Sequence, residues 1–158
     1  MPFVPTRDDI ERLITLCCLP NTTEGSKPFE RIALDSALVL RQCEKESGFR
    51  QFADDIGGMV LRSSCGALGL FQLLPATAKD LKVDPMDWRQ NVWGGVKYDK
   101  ILSLRFDGDM ARVFAAYNWG MGNVDKAVRQ YGDTEWKRHV PAETAAYCKF
   151  ILRAADAN

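Results

Sequence analysis

The sequence lacks several features that would assign it to well-defined classes of proteins. Lys plus Arg and Asp plus Glu both number 21, so the net charge gives no reason to expect a nucleic-acid partner. No stretch approaches the roughly 20 apolar residues that a membrane-spanning helix needs. Residues 1–9 contain no basic segment followed by an apolar run, and we therefore expect no secretory signal peptide.

The sequence also has few of the residues that bind metals. Its one histidine, His139, lies beside Lys137 and Arg138, and we assign it no catalytic role. The five cysteines are odd in number and form no CxxC motif or Cys/His cluster; they are Cys17, Cys18, Cys43, Cys65 and Cys148. We interpret them as buried, reduced thiols, and we expect neither a metal site nor a cofactor.

What the sequence does contain is a helical pattern of apolar residues. A capping box at Thr6 and Asp9 predicts a first helix that ends before Pro20. A second helix is predicted from Phe29 to a stop at Gly48, and its wide apolar face predicts a central, buried position. At 158 residues the chain should form one domain around a single core.

Further helices are predicted downstream. One opens within residues 69–77, and Asn91 and Asp109 are interpreted as the caps of two more. Another follows residues 122–123, and Pro141 begins a last helix whose apolar face is Tyr147, Phe150, Ile151 and Ala154. No series of strands is evident, although Gly57-Gly58 indicates a small hairpin within residues 54–61. The sequence therefore predicts an all-α fold of about seven helices.

The most informative residue is Glu46, at the C-terminal end of the second predicted helix. It faces a glycine- and glutamine-containing turn at residues 69–77. The negative end of the helix dipole and partial loss of water both penalise an ionised carboxylate, so the pKa of Glu46 should be raised. A carboxylic acid that stays neutral near pH 7 is the proton donor that cleavage of a glycosidic bond requires.

Four blocks around this glutamate resemble a known family in content and order. They are Glu-Ser-Gly-Phe at 46–49, Ser-Ser-Cys-Gly-Ala-Leu-Gly-Leu-Phe-Gln-Leu-Leu-Pro-Ala-Thr-Ala at 63–78, Ala-Tyr-Asn-Trp-Gly-Met-Gly-Asn-Val at 116–124 and Val-Pro-Ala-Glu-Thr-Ala-Ala-Tyr at 140–147. Residues 91–102 also fit the family's Asn-x-x-x-Gly-x-x-Tyr helix. The chain resembles the catalytic domain of lytic transglycosylases related to soluble murein transglycosylase, which share the goose-type lysozyme fold.

The resemblance implies a function and a set of site residues. The domain would cover residues 1–158, with an N-terminal helix and loop at 1–28 and a catalytic core at 29–155. It would act as a monomer on peptidoglycan, cleaving the β-1,4 bond from N-acetylmuramic acid to N-acetylglucosamine and leaving 1,6-anhydro ends. Glu46 would be acid and then base. The residues expected to bind substrate are Ser63, Gln72, Tyr117, Asn118 and Gly120, and those expected to support the site are Ser47, Glu143 and Tyr147.

Departures from the family pattern keep alternatives open. Residues 50–62 are extra material, and Asp54 or Asp55 within them would support a hydrolytic muramidase that activates a water. Phe71 replaces a methionine and is expected to be a groove hydrophobe, and Trp119 replaces a small residue. A non-catalytic glycan-binding module is the other alternative, although an intact Glu46 argues against it.

Purely structural interpretations also exist for several of these residues. Gln72 could satisfy backbone groups in its turn, Tyr117 could fill the core and Glu143 could serve a helix dipole.

The expected substrate lies outside the cytoplasmic membrane. Without a signal peptide, the enzyme would reach the cell wall through phage lysis, a virion, a secretion or conjugation apparatus, or as a chain trimmed of its leader. We favour a phage or a specialised delivery system.

Overall fold

The computed structural model describes residues 2–153, and its regular structure is helical. This range contains two 3-10 helices, Pro28–Arg31 and Trp136–His139, and seven α-helices: α1 (Arg7–Cys17), α2 (Ser36–Ser47), α3 (Pro75–Leu81), α4 (Trp88–Arg105), α5 (Met110–Trp119), α6 (Met121–Glu135) and α7 (Ala142–Leu152). The predicted all-α fold is confirmed. No helix among these is long and apolar enough to span a bilayer. Ala154 and Ala155, which were predicted within the last helix and the core, lie outside the described residues.

Local capping signals fix the start of α1 and the end of α2, the helix that carries Glu46. The Thr6 hydroxyl accepts a hydrogen bond from the Asp9 amide at 3.1 Å, and the Asp9 carboxylate accepts one from the Thr6 amide at 2.8 Å. The predicted capping box of α1 is therefore confirmed. Gly48 ends α2 with a left-handed φ of 62°, as predicted. Glu46 consequently lies in the last turn of α2.

The second helix begins later than the sequence predicted. Phe29 belongs to the first 3-10 helix, and the backbone is extended at Ile32, where ψ is 127°. The Asp35 carboxylate then caps α2 by accepting a hydrogen bond from the Ala37 amide at 2.9 Å. An aspartate that satisfies a free amide in this way favours a helix start over a helix interior, and for this reason the prediction of one helix from Phe29 is wrong.

Asn91 is likewise not the cap that the sequence suggested. The cap of α4 is Asp87, whose carboxylate accepts a hydrogen bond from the Gln90 amide at 2.9 Å. Asn91 lies inside α4 and is fully buried. Because the Asp87 carboxylate already caps the first turn of α4, the Asn91 side chain can hydrogen-bond to a neighbouring turn.

Two apolar clusters form the core and meet at shared side chains. The first packs α1, α2, α3 and the start of α4 together, and the second packs the end of α4 with α5, α6 and α7. Tyr98, Met110 and Tyr117 contact both clusters. Helix α2 contributes Val39 to the first and Leu38 to the second, which gives it the central position predicted from its apolar face.

A pair of glycines brings the turn before α3 against α4. A Cβ atom at Gly94 would lie 2.7 Å from Val83, and one at Gly95 would overlap the Phe71 ring. The two glycines therefore allow the turn to pack closely against α4. Phe71 is fully buried on Gly95, so the prediction that it is a groove hydrophobe is wrong. Its ring instead fixes the turn against the longest helix.

We expect Gly95→Ala to lower the free energy of unfolding by about 1–3 kcal/mol, because the added methyl group must displace the Phe71 ring. Urea unfolding would measure the change. Gly122→Ala is the matched control, since a Cβ there has no neighbour within 4 Å on helix α6. It should be neutral or stabilising by up to about 1 kcal/mol. Equal stability of the two variants would contradict this account of the glycine.

Candidate active site

Glu46 and Tyr147 form the central contact of the site. The Tyr147 hydroxyl donates a hydrogen bond of 2.6 Å to Oε1 of Glu46. Tyr147 comes from α7 and is 3% exposed, and the two residues are 101 positions apart in the chain. This single bond therefore ties the end of α2 to the last helix.

The surroundings of Glu46 raise its pKa to about 7. Burial is the largest cause, because loss of water destabilises the ionised carboxylate relative to the neutral acid. The negative charge of Glu143 raises the pKa further, while the Tyr147 hydrogen bond and the charge of Lys45 lower it. The direction agrees with the sequence prediction. The resulting carboxyl group exchanges its proton near neutral pH, which suits a group that must donate and then accept.

Gln51 holds the turn of residues 69–72, which lies within the second block of the resemblance. Its Oε1 accepts a hydrogen bond from the Leu70 amide at 3.1 Å. Its Nε2 donates to the carbonyls of Pro85 and Met86 at 3.0 and 3.2 Å. Gln51 is 2% exposed, and these bonds satisfy its amide. Sequence reasoning missed it because it lies in residues 50–62, which had been interpreted as extra material.

Asn91 holds the same turn from α4. Its Oδ1 accepts a hydrogen bond from the Phe71 amide at 2.8 Å, and its Nδ2 donates to the Leu68 carbonyl at 2.8 Å. A Cβ at Gly69 would overlap the side-chain amides of Gln51 and Asn91, and Gly69 has a φ of 70°. Only glycine therefore fits between the two amides.

Two predicted substrate-binding residues bond to the turns in which they lie. Gln72 has a φ of 49°, and its Nε2 donates to the Gly69 carbonyl at 2.9 Å. The Ser63 hydroxyl accepts a hydrogen bond from the Ala67 amide at 3.0 Å. Both side chains are half-buried. The structural interpretation of Gln72 as a residue that satisfies its own turn is thus observed.

Tyr117, which was expected to bind substrate, makes no hydrogen bond to Glu46 among the described contacts. Its hydroxyl donates to the Phe71 carbonyl at 2.7 Å, and the bond to Glu46 comes from Tyr147. Tyr117 is nevertheless close enough that the charge of Glu46 helps to raise its pKa. It supports the site by holding the turn, with its ring 5.2 Å from that of Tyr98.

The remaining predicted residues lie where α2, α5 and α7 end or begin. Asn118 Oδ1 accepts a hydrogen bond from the Thr144 hydroxyl at 2.8 Å, and this bond joins α5 to α7. Gly120, with a φ of 105°, connects α5 to α6. Buried Ser47 donates to the Cys43 carbonyl at 3.2 Å, and exposed Glu143 lies in the first turn of α7.

The extra segment is organised by one of its own aspartates. Asp54 Oδ1 accepts hydrogen bonds from the Ile56 and Gly58 amides at 3.2 and 2.9 Å. One isolated antiparallel bridge, between Phe52 and Val60, closes the loop where a small hairpin was predicted. Asp54 therefore has a structural task in this loop.

Within residues 2–153, no group of three or more His, Cys, Asp or Glu side chains is arranged to hold a metal ion.

Comparison with protein families identifies the chain. Residues 27–140 match the model of the transglycosylase SLT domain, which is most of the chain. The chain therefore belongs to the transglycosylase SLT domain family. This match includes Glu46 and Tyr117 and stops before Tyr147.

Individual relatives agree with this assignment. The chain is 32% identical over 108 residues, or 64% of its length, to a membrane-bound lytic murein transglycosylase F of Desulfosudis oleivorans. It resembles an inactive glutamate-to-glutamine mutant of the lytic transglycosylase Slt of Pseudomonas aeruginosa, with a TM-score of 0.62 and 26% identity over 77% of the chain. It also resembles the 70 kDa soluble lytic transglycosylase of Escherichia coli, with a TM-score of 0.68 and 21% identity over 90% of the chain. The lysozyme-like transglycosylase fold is confirmed. The chain spans only 21–23% of the length of these three proteins.

We expect Glu46→Gln to stabilise the protein at high pH. The pKa of Glu46 is about 7 in the fold against 4.5 in its unperturbed state, so the folded protein binds the proton more tightly. The stability that neutral Glu46 provides is complete below about pH 4.5 and is lost as the pH rises to about 7. A glutamine cannot ionise, and at about pH 8 the variant should be more stable by up to about 3 kcal/mol.

Urea unfolding at about pH 4, 6 and 8 would measure this gain. Glu44→Gln, which changes an exposed glutamate on the same helix, should follow the wild type at every pH. A gain for Glu46→Gln that is equal at all three values would show that its cause is not ionisation.

Tyr147→Phe should raise the pKa of Glu46 above about 7, because the lost hydrogen bond favours the ionised carboxylate. Titration followed by ¹³C NMR of the glutamate side-chain carboxyl carbon would measure the shift. Tyr117→Phe is the matched control, since it leaves the Tyr147 bond intact. It should cost about 1–3 kcal/mol of stability by leaving the Phe71 carbonyl unsatisfied. A lowered pKa in Tyr147→Phe would contradict the assignment.

Proposed function

We propose that this domain is a peptidoglycan lytic transglycosylase that cleaves the β-1,4 bond from N-acetylmuramic acid to N-acetylglucosamine and leaves 1,6-anhydro ends. The observation that carries the proposal is Glu46, a half-buried carboxyl group with a pKa of about 7 and one short hydrogen bond from Tyr147. Membership of the transglycosylase SLT domain family and the lytic transglycosylases among its relatives support it.

In the first step neutral Glu46 donates its proton to the bridging glycosidic oxygen. The bond between that oxygen and C1 of the muramic acid then breaks, and positive charge develops at C1 as in an oxocarbenium ion. Burial is what keeps the proton on Glu46 until this step, because it raises the pKa to about 7. The leaving sugar departs with a new hydroxyl group.

In the second step ionised Glu46 acts as the base. It accepts the proton of the C6 hydroxyl of the same muramic acid, and that oxygen bonds to C1 to close the 1,6-anhydro ring. The Tyr147 hydroxyl stabilises the ionised carboxylate during this interval by donating its hydrogen bond to Oε1. Glu46 ends the cycle protonated, so one carboxyl group is sufficient.

We assign substrate contacts to the two segments that the site residues hold. One is the turn of residues 69–72 with Ser63 beside it, and the other is the loop of Asn118 and Gly120. The turn is fixed by Gln51, Asn91 and the Tyr117 hydroxyl, and the loop is fixed by the bond from Thr144 to Asn118. Rigid backbone on both segments would position a sugar with little loss of entropy on binding.

The extra segment gives the hydrolytic alternative little support. Asp54 is engaged by two amides of its own loop. The charged groups that affect the pKa of Glu46 are Glu143 and Lys45, and neither aspartate of the extra segment is among them. This arrangement supports a reaction in which the substrate supplies its own nucleophile.

The substrate would place the action of the domain at the cell wall. Delivery by a phage or a specialised secretion system stays a prediction, as do the monomeric state and the domain bounds at 1–158.

Digestion of cell-wall sacculi followed by mass analysis of the soluble muropeptides tests the proposal. Lytic cleavage should give anhydro products that are one water lighter than hydrolysed ones. Glu46→Gln should lower the rate by roughly 100- to 10,000-fold, because an amide cannot donate the proton. The inactive glutamate-to-glutamine mutant of the Pseudomonas aeruginosa relative gives a precedent for such a loss.

Two control variants sharpen the result. Glu44→Gln should keep the wild-type rate, and Asp54→Asn with Asp55→Asn should keep the same anhydro products. Hydrated products from the wild type would establish a hydrolase, and an inactive wild type would favour the non-catalytic module.

A further inference from the structure

Two buried polar side chains lie near Glu46 and take no part in the mechanism above. Gln42 on α2 and Asp99 on α4 are both fully buried, at 0% exposure. Gln42 and Glu46 are i and i+4 on α2, so they lie on the same face of the helix, one turn apart. Gln42 is therefore one helical turn from Glu46, and Asp99 is close enough that the charge of Glu46 helps to raise its pKa.

The hydrogen bonds of the pair are incomplete if Asp99 is ionised. Gln42 Nε2 donates to Asp99 Oδ1 at 3.1 Å. Asp99 Oδ2 and Gln42 Oε1 are both buried without a hydrogen-bond partner among the described residues. Both are acceptors when Asp99 carries its charge, so neither can satisfy the other. A proton on Oδ2 would turn it into a donor.

The surroundings of Asp99 also favour the proton. Burial raises the pKa of Asp99 well above its usual range, the charge of Glu46 adds to this, and the Gln42 bond opposes it. Asp99 in turn influences the pKa of four nearby groups, none of which is a cation: Cys18, Tyr98, Tyr117 and Tyr147. Lys100, the next residue, directs its ammonium group to the Leu19 carbonyl at 2.6 Å and makes no ion pair with Asp99.

We propose that Asp99 and Gln42 form a closed acid–amide pair, in which protonated Oδ2 of Asp99 donates to Gln42 Oε1, and that this pair positions Glu46 for catalysis. Two hydrogen bonds then join α2 to α4 and satisfy both buried atoms that lack a partner. The positioning role rests on the proposed function, whereas the protonation of Asp99 does not.

A neutral pair is what the two-step reaction requires at this place. Glu46 must become negative in the second step, and a second negative charge close to it would oppose that ionisation. A purely apolar contact would also avoid the charge but would not fix the rotation and height of α2 through directed bonds. Asp99 and Gln42 are thus positioning residues that act through Glu46.

The first test observes the proton directly. In protein with ¹³C-labelled aspartate carboxyl groups, the Asp99 resonance is the one that Asp99→Asn removes. We expect it to stay in its protonated form from about pH 4 to 8 while Glu46 titrates. Asp99→Asn supplies an NH₂ donor to Gln42 Oε1 and keeps an acceptor for Nε2. The acid dissociation constant of Glu46 and the rate of glycan cleavage should therefore both stay within about twofold of wild type. An Asp99 that titrates in the acid range, or a lowered Glu46 midpoint in Asp99→Asn, would overturn the neutral pair.

The second test separates positioning from stability. The double variant Gln42→Leu with Asp99→Leu removes both members of the pair together, so neither is left as an unpaired buried polar group. The melting temperature should therefore stay close to wild type. We expect kcat on sacculi to fall roughly 10- to 100-fold with little change in KM, because Glu46 loses its fixed geometry. Ser103→Ala, which deletes a buried hydroxyl on the same helix, should leave kcat and the Glu46 titration unchanged.

The outcomes distinguish the two proposals. A stable double variant that cleaves at the wild-type rate, with an unchanged Glu46 titration, overturns the positioning role. If the double variant does not fold, Asp99→Asn with its pH–rate profile decides the matter, since a changed profile overturns the pair. An inactive wild type overturns the proposed function, and the Asp99 and Glu46 titrations would still test the pair.

Discussion

The hydrogen bond from Tyr147 to Glu46 is the interaction on which the rest of the site depends. Burial raises the pKa of Glu46 and so favours its neutral form. The Tyr147 hydroxyl stabilises the ionised form, and the balance between burial and this bond gives a pKa of about 7. The same bond fixes α7 against the end of α2. One contact between distant parts of the chain therefore sets both the chemistry and the geometry of the carboxyl group.

Around this contact the fold uses buried amides to make a short irregular turn rigid. Gln51 and Asn91 satisfy the backbone of residues 68–71 from two sides, and Tyr117 satisfies the Phe71 carbonyl. Phe71 anchors the turn in the core because Gly95 leaves room for its ring. A turn whose polar groups bond to protein instead of water keeps one shape, and this is the property that the proposed substrate contacts require.

Helix α4 supplies polar groups as well as packing surface to this arrangement. Along α4, Asn91 bonds to the turn and Tyr98 packs against the Tyr117 ring. Asp99 bonds to Gln42 on α2. Each such group costs free energy unless its partners are complete. Both the Oδ1 and the Nδ2 of Asn91 have hydrogen-bond partners. The acid–amide pair with Gln42 would likewise give both oxygens of Asp99 a partner. In the proposed arrangement, stability and the chemistry of Glu46 would be coupled through this helix.

The sequence by itself determined the features that depend on near neighbours. The helical class follows from apolar spacing, and the Thr6 capping box and the Gly48 stop depend on residues within one turn. The direction of the pKa shift of Glu46 was predicted from its place at the end of an apolar helix, but burial in the packed fold is its largest cause. Only the tertiary structure decided which distant groups meet. It made Tyr147 the partner of Glu46, gave Asn91 to a turn instead of a helix cap, and brought Gln51 and Asp99 to partners that no local signal indicates. The reason is physical: a cap is chosen by residues a few positions away, whereas a bond such as the one between Glu46 and Tyr147 exists only after the core has packed α2 against α7.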